Sequence, residues 1–460
     1  MIPNKTARQF RPEKSLSAGL ATTRRFHFGR VATRAAGMVR TYQSFARQSL
    51  IYIGATGVNV LLPFAVLPWL TRWLGPEGFG TVGTLIAMIS VSLVLVGLNT
   101  NAQVSVTYFR DGPASMPGQI GATLGVLALT GVLLLIGLQL SAGWISAATG
   151  ISPKWLWTIS ISACGQFVVA VTLSVWQTRG LPWHYGATQI GYTVLWASLS
   201  LALIGYFGMG WPGRAMGQAL ASIIAATLCI TLLTRKGFLS WNFRAWPIGS
   251  ALRFGLPLVP HSLAGIAMST VDRIALGGAV RGAATGHYFA AFQIASVLSL
   301  VGAALNQAWI PWMYGRLARK DEASKLEIVR ATYWLSGLLL ASAIVMSIGA
   351  GPIVRLVAGP GYEESAGLLF FLAPAAAFGG MYYLVVAYMF YAGRTGVLSA
   401  ITISVAAIQI VLVLWLVHLR GAKGAAIAVL LSSIIYWAAT AVVSNLVLPM
   451  PWLRRRIVSE

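Results

Sequence analysis

The sequence predicts an all-α integral membrane protein with twelve transmembrane helices in two six-helix lobes related by an internal parallel repeat. Three observations lead to this prediction: 57% of the 460 residues are hydrophobic, only 9% are charged, and the charges divide the chain into long apolar runs. Such a composition excludes a soluble globular enzyme and an intrinsically disordered chain. Two cysteines are too few for a disulfide-stapled secreted domain.

The membrane spans are predicted from stretches that lack Lys, Arg, Asp and Glu. A helix needs about 20 apolar residues to cross the hydrocarbon. Twelve charge-free stretches of at least 18 residues occur, at 48–71, 78–109, 112–153, 155–178, 180–213, 215–234, 254–271, 282–315, 331–354, 365–393, 395–419 and 424–453. The runs lack the alternation of barrel strands, so each is assigned one helix.

The sequence also contains a weak internal repeat. A shift of 206 residues superposes identical residues, among them the pairs Gly80 and Gly286, Tyr108 and Tyr314, and Arg110 and Arg316. This offset contains six spans, an even number, so both lobes insert with the same orientation. The lobes are predicted at 48–234 and 254–450, joined by a basic cytoplasmic linker at 235–253. Two such lobes around a central cavity are typical of an alternating-access transporter.

The distribution of basic residues predicts that both termini are cytoplasmic. With the N-terminus inside, the inner loops and termini contain 25 of the 33 basic residues, in agreement with the positive-inside rule. Residues 1–47 and 451–460 are then basic cytoplasmic termini. For 1–47 we favour a tail resting on anionic lipid; the alternatives are an organellar transit peptide or sequence upstream of a true start at Met38.

The sequence contains no motif typical of an enzyme or a metal site. A Walker A loop, H-E-x-x-H, a nucleophile elbow and clustered Cys and His residues are all absent. Cys164 and Cys229 lie within apolar runs and are interpreted as buried thiols. The chain is therefore predicted not to be an enzyme, to have no cofactor or metal, and to hydrolyse no nucleotide.

Ionisable residues at membrane depth are the candidate functional residues, because burying a charge in lipid is costly. Asp272 and Arg273 are adjacent near the end of the seventh run, Arg72 follows the first run, and Arg355 follows the ninth. For the arginines, snorkelling to the interface is the alternative. Asp272 is predicted either to orient Arg273 or to bind a coupling ion such as a proton.

Two further patterns concern prolines and aromatic residues. Pro257 and Pro260, at the start of the seventh run, predict an interrupted helix because proline removes a backbone donor. Such breaks act as hinges or flank binding sites in transporters, and a stiff first turn is the alternative. Five aromatic residues are either members of an interfacial belt or surfaces on which sugar rings stack: Trp69, Trp73, Trp309, Trp312 and Tyr314.

Two segments resemble the oligosaccharide flippase family, the polysaccharide-transport branch of the multidrug/oligosaccharidyl-lipid/polysaccharide exporter superfamily. They are residues 70–80, LTRWLGPEGFG, and residues 272–288, which begin DRIALG. The resemblance covers about residues 45–450. It implies a transporter that moves a polyprenyl-diphosphate-linked oligosaccharide from the cytoplasmic to the periplasmic leaflet of a bacterial inner membrane, for exopolysaccharide, capsule or O-antigen biosynthesis.

The resemblance further implies a cationic central cavity. Arg72, Arg273 and Arg355 are expected to face that cavity and bind the diphosphate, since arginine offers a bidentate fork that stays charged. The expected partners are the lipid-linked oligosaccharide, membrane lipids, and a polysaccharide polymerase with its co-polymerase; nucleic acid is not expected. The alternatives are a multidrug antiporter of the same fold and a membrane polysaccharide polymerase or ligase.

Overall fold

The computed structural model describes residues 19–280 and 282–452, and all regular structure in these two ranges is helical. The α-helices are α1 Gly19–Gly97, α2 Asn101–Asp111, α3 Met116–Leu140, α4 Ala142–Thr149, α5 Trp157–Thr178, α6 Pro182–Leu201, α7 Trp211–Arg235, α8 Ile248–Gly255, α9 Val259–Ala279, α10 Ala283–Leu317, α11 Glu322–Ile348, α12 Ala350–Val357, α13 Ser365–Tyr391 and α14 Thr395–Val447. The predicted termini lie partly outside the described residues, at 1–18 and 453–460.

Ten helical segments of the described chain are long and apolar enough to cross a membrane. Two of them, Gly57–Asp111 and Gly396–Val447, contain 55 and 52 residues, whereas one crossing takes about 20. Each is broken at a glycine with a positive φ, 64° at Gly75 and 56° at Gly421. Glycine adopts this conformation without steric cost. The chain is therefore an all-helical, multi-pass membrane protein with ten to twelve crossings.

The charge-free runs locate the spans but not their ends. α7 begins at Trp211, before Arg214, and α9 continues past Asp272 and Arg273. α11 begins at Glu322, well before the run that starts at residue 331. The prediction of these boundaries is wrong because a helix can contain charges wherever neighbouring side chains or the aqueous interface stabilise them.

Helices from the same half of the sequence pack mainly against one another. α5 lies against α1, α3 and α7, and α6 lies against α1 and α7. In the second half, α13 contacts α10, α11 and α14, and α14 also contacts α9. α1 contacts both α9 and α10 as well, so the two groups of helices meet along α1.

The two groups are in close contact at one end of the bundle, called here the Gly75 end and formed by residues 72–80, 148–150, 278–280, 282–286 and 357–362. A Cβ atom on Gly80 would lie 2.6 Å from the backbone nitrogen of Gly286. A Cβ on Gly286 would overlap the carbonyl of Pro76, and one on Gly278 would overlap that of Ala148. Backbone contacts that only glycine permits therefore close this end of the bundle.

The linker packs against α3 at the opposite end. The indole of Trp246 covers Gly121 and Gly125, and a Cβ on Gly121 would overlap the indole. The indole Nε1 donates a hydrogen bond to the carbonyl of Ser240 at 2.8 Å. This part of the linker is therefore fixed to the N-terminal half of the chain.

A 3₁₀ turn, Leu256–Leu258, separates α8 from α9. Pro257 lies in this turn, and Pro260 lies in the first turn of α9, where its missing N–H costs no helical hydrogen bond. The predicted interruption of the helix is present. The role of the two prolines as a hinge remains a prediction.

Candidate functional site

A cavity of about 390 Å³ lies where the two groups of helices face each other, between α1, α5, α6, α7 and α10. Its aromatic lining is Phe64, Phe79, Tyr192, Trp196 and Phe289. The non-aromatic polar residues that line the cavity are Ser90, Gln166, Arg214, Gln218, Gln293 and Ser296. No acidic residue belongs to this described lining, and its one charged group is a guanidinium.

Arg214 lies in the first turn of α7 and is 5% exposed. Its guanidinium lies 4.1 Å from the centre of the Trp196 ring, on α6. Nη1 donates hydrogen bonds to Gln218 Oε1 at 2.7 Å and to Ser200 Oγ at 3.3 Å. Gln218 in turn donates a hydrogen bond to the hydroxyl of Tyr192. Neutral groups from two helices thus hold this arginine in place.

The positive charge of Arg214 has no acidic partner among the described residues. Its Nε is buried and donates no hydrogen bond. A buried guanidinium is costly without a counter-charge, and cation–π contact with an indole together with neutral hydrogen bonds offsets that cost only in part. An anion in the cavity would supply the missing partner, and the planar guanidinium suits carboxylate and phosphate oxygens.

Asp272 and Arg273 are buried in α9, at 1% and 6% exposure. Arg273 Nε lies 3.7 Å from Asp272 Oδ1, and both atoms lack a hydrogen bond. The hydroxyl of Tyr288 donates a hydrogen bond to Asp272 Oδ2. The carboxylate is thus fixed through one oxygen, while the other oxygen faces the guanidinium without a direct hydrogen bond.

Arg273 is close to the cavity but does not line it. Its guanidinium lies 4.4 Å from the centre of the Phe292 ring and 5.8 Å from that of Phe289. Phe289 is itself part of the cavity lining. Thr84 donates a hydrogen bond to the Arg273 carbonyl at 3.3 Å, which connects α1 with α9. The pair therefore lies behind an aromatic side chain of the cavity, next to the Gly75 end.

The expectation that Arg72 and Arg355 face the cavity is wrong for this structure. Both side chains are exposed at the Gly75 end, where Arg72 lies beside Gly359. Backbone hydrogen bonds from Glu363 and Gly361 lower the pKa of the Glu363 carboxyl, and the charge of Arg355 adds to this effect. Both arginines lie near helix ends, where the guanidinium reaches water without the desolvation that burial requires.

Arg214 is a site residue that the charge-free runs do not predict, because they place every charge at the limit of a span. One sequence signal could have found it. Pro212 is favourable in the first turn of a helix, so a helix starting at Trp211 would already include residue 214. The contact with Trp196 depends on how α6 and α7 pack, which no local pattern specifies.

Comparison with known proteins agrees with these observations. The family described as "Polysaccharide biosynthesis protein" matches residues 45–315. The "Lsg locus putative protein 1" of Haemophilus influenzae is 26% identical over 360 residues, 77% of this chain and 86% of the relative. The "Putative O-antigen transporter" of Escherichia coli K12 is 21% identical over 346 residues, 71% of this chain and 79% of the relative.

Two solved structures show the fold. One is the lipid II flippase MurJ in an inward closed conformation, with a TM-score of 0.70, 13% identity, and coverage of 86% of this chain and 87% of MurJ. The other is an inward-facing MATE family multidrug resistance transporter of the MOP superfamily, with a TM-score of 0.62, 15% identity, and coverage of 84% and 94%. The predicted family resemblance is confirmed: the chain belongs to the polysaccharide biosynthesis protein family and has the helical membrane fold of MurJ and the MATE transporters.

Proposed function

We propose that the chain is a transporter that flips a polyprenyl-diphosphate-linked oligosaccharide across a bacterial inner membrane, from the cytoplasmic to the periplasmic leaflet. The transported oligosaccharide would be used to assemble exopolysaccharide, capsule or O-antigen. The observation that carries the proposal is Arg214, a buried guanidinium with no acidic partner on the wall of a cavity between the two groups of helices. The family and the name of the Escherichia coli relative support the same class of substrate.

The chemistry of this substrate suits the cavity. A diphosphate cannot enter hydrocarbon alone, because an isolated charge in a low dielectric is very costly to desolvate. Arg214 offers it a charge-assisted, bidentate partner. The glutamine amides and the ring of Trp196 suit the hydroxyls and the apolar face of a sugar. The polyprenyl chain needs no such pathway and stays in the lipid.

We further propose twelve crossings in two six-helix lobes, at 48–234 and 254–450, that alternate access to the cavity. The contact of Gly80 with Gly286, which are equivalent in the 206-residue repeat, supports a pseudo-two-fold axis between the lobes. The excess of basic residues supports a cytoplasmic location for both termini and for the linker at 235–253. The Gly75 end then faces the periplasm, and it is closed.

The remaining predicted residues take supporting roles in this proposal. Arg273 attracts the head group from behind Phe289, and Asp272 either orients Arg273 or binds a coupling ion. Pro257 and Pro260 form the hinge between the linker and the C-terminal lobe. Arg72 and Arg355, which are exposed at the Gly75 end, contact the head group only after it leaves the cavity.

The physiological partners in this proposal are membrane lipids, the lipid-linked oligosaccharide, and a polysaccharide polymerase with its co-polymerase. The second candidate function is a multidrug antiporter, since MATE transporters share the fold. The described cavity lining contains a cation and no carboxylate, which favours anionic over cationic substrates. A polymerase or ligase is disfavoured, because the related structures named above are transporters and a flippase.

The experiment compares Arg214→Gln, Arg214→Lys and Arg235→Gln in a deletion strain of the natural host. Arg235 is a matched control, since it lies in the last turn of the same helix and is exposed. We expect Arg214→Gln to reduce surface polysaccharide about tenfold or more, because a charge-assisted hydrogen bond is lost. Lipid-linked oligosaccharide should accumulate on the cytoplasmic face, Arg214→Lys should retain part of the activity, and Arg235→Gln should behave as wild type.

Normal polymer levels with Arg214→Gln, at an unchanged amount of protein in the membrane, would contradict the proposal. Drug susceptibility of the deletion strain tests the antiporter. Increased sensitivity to cationic drugs, together with normal surface polysaccharide, would favour that alternative.

A further inference from the structure

A second and larger cavity, of about 670 Å³, opens between α10 and α11 on the outside of the bundle. We call it the α10–α11 groove. Its apolar wall is formed by Leu305, Ala308, Trp309, Trp312, Trp334 and Leu335, and its charged rim by Arg316, Glu327 and Arg330. Trp334 is 76% exposed on α11, which indicates that the groove faces lipid.

Two guanidinium groups occupy the charged rim. Arg316 lies 3.8 Å from the centre of the Trp312 ring, and its Nε donates a hydrogen bond to Glu327 Oε2 at 2.7 Å. This one carboxylate is the acidic partner of Arg316 among the described residues. Arg330, one helical turn after Glu327, is exposed and forms no ion pair among the described residues. The rim therefore offers more positive charge than the groove itself neutralises.

The floor of the groove is fixed. Trp309 is buried, and its Nε1 donates a hydrogen bond to the carbonyl of Leu384 at 3.0 Å. The Trp312 ring stacks on it, with centroids 5.2 Å apart and an interplanar angle of 25°. Stacked indoles under a guanidinium form a rigid apolar surface that ends in positive charge.

The length of the groove matches one leaflet. From Arg316 to Leu305 the helix extends about 17 Å at 1.5 Å per residue. One half of the hydrocarbon core is about 15 Å thick. Arg316 is next to the last residue of α10, so the charged rim lies at one end of the helix and the apolar wall extends from the rim towards the helix middle.

We propose that the α10–α11 groove is a binding site for one anionic phospholipid of the leaflet at that end of α10. The phosphate lies between Arg316 and Arg330, and one acyl chain lies along Trp312, Trp309 and Leu305. A free sugar would leave the apolar wall uncovered, and a neutral phospholipid would not use the charge of the rim. The site depends on the chain being a membrane protein, and it is independent of the proposed transport function.

Native mass spectrometry of the purified full-length protein in a neutral detergent tests the site. The protein is titrated with phosphatidylglycerol and with phosphatidylcholine of the same acyl chains. We expect one phosphatidylglycerol to bind more tightly than any phosphatidylcholine. Arg316→Gln with Arg330→Gln should weaken phosphatidylglycerol about thirtyfold, since each basic residue near a head group contributes about a factor of five. Phosphatidylcholine binding should not change.

The control is Arg319→Gln with Lys320→Gln, which removes the same charge from the turn after α10, outside the groove. This control variant should bind one phosphatidylglycerol as tightly as wild type does. Arg330→Gln alone preserves the ion pair of Arg316 and should weaken phosphatidylglycerol binding about fivefold. This single variant keeps the test valid if the double variant misfolds. Equal binding of the two lipids to wild type, or full retention in both groove variants, would overturn the proposal. So would binding of undecaprenyl diphosphate in place of phosphatidylglycerol.

Discussion

Gly80 and Gly286 touch each other, although they are 206 residues apart in the chain. A Cβ atom on Gly80 would lie 2.6 Å from the backbone nitrogen of Gly286. In a two-fold arrangement, a residue meets its own counterpart only beside the symmetry axis. The contact therefore supports an axis that passes between α1 and α10 at the Gly75 end, where the two halves of the chain close on each other.

A larger side chain at residue 80 should open this end. Gly80→Leu forces the backbones of α1 and α10 apart, because no side-chain atom fits at the position of its Cβ. We expect the cavity to become more accessible from the Gly75 end. With Cys164 and Cys229 replaced by Ala, Ser296→Cys in the cavity reports accessibility to an impermeant thiol reagent. Labelling should become about tenfold faster.

Gly337→Leu is the matched control for this prediction. Gly337 is a helical glycine on α11, and a Cβ atom there would have no neighbour within 4 Å. Its labelling rate should equal that of the parent protein. If Gly80→Leu also leaves the rate unchanged, the glycine contact is not what closes the Gly75 end.

Removing one member of the Asp272 and Arg273 pair should destabilise the protein strongly. Arg273→Gln leaves a buried carboxylate and Asp272→Asn leaves a buried guanidinium, and breaking such a pair costs about 3 to 5 kcal/mol. The double variant leaves neither charge uncompensated and should lose less than the sum of the two single losses. Thermal unfolding of the four proteins in detergent measures the difference, and additive losses would show that the pair is not coupled.

Trp246 should control the attachment of the linker to α3. Trp246→Ala uncovers Gly121 and Gly125 and removes the hydrogen bond to Ser240, so residues 240–247 should become sensitive to limited proteolysis. Trp241 is the control, because it is in the same linker but 52% exposed. Equal cleavage rates for Trp241→Ala and Trp246→Ala would be inconsistent with anchoring by Trp246.

Trp196 should act through Arg214. The guanidinium loses its stacking partner in Trp196→Ala, and cation–π contacts contribute about 0.5 to 2 kcal/mol. We expect transport to decrease between about twofold and thirtyfold, whereas Trp196→Phe, which preserves an aromatic face, should retain most activity. Export of surface polysaccharide measures both variants. If the Trp196→Ala and Trp196→Phe variants are equally active, an aromatic ring at residue 196 is not needed to position Arg214.

The sequence predicts the positions of the crossings well, because insertion into hydrocarbon depends on about 20 consecutive residues. Every charge-free run contains part of a helix, and the interruption predicted from Pro257 and Pro260 is present. Helix ends were less predictable. Asp272 and Arg273 lie inside α9 because Tyr288 and the aromatic rings of α10 contact them. Arg214 lies inside α7 because Trp196 packs against it.

The candidate site was predicted only in part, for a related reason. Whether an arginine near a helix end turns to the interior or to water depends on the helices beside it. Arg72 and Arg355 have water and the surface at the Gly75 end within reach, whereas Arg214 is covered by α6. All three arginines lie near a helix end, and tertiary packing decides which of them is buried.

The breaks at Gly75 and Gly421 also affect how the protein can be handled. At each of them two long helices are joined by a single residue. The carbonyl of Pro76, next to Gly75, contacts Gly286, and Val280 lies beside Gly421. An epitope tag inserted at either point would disturb these contacts. The turn around Gly208, next to the exposed rings of Tyr206 and Phe207, has open space and is the better place for a reporter peptide.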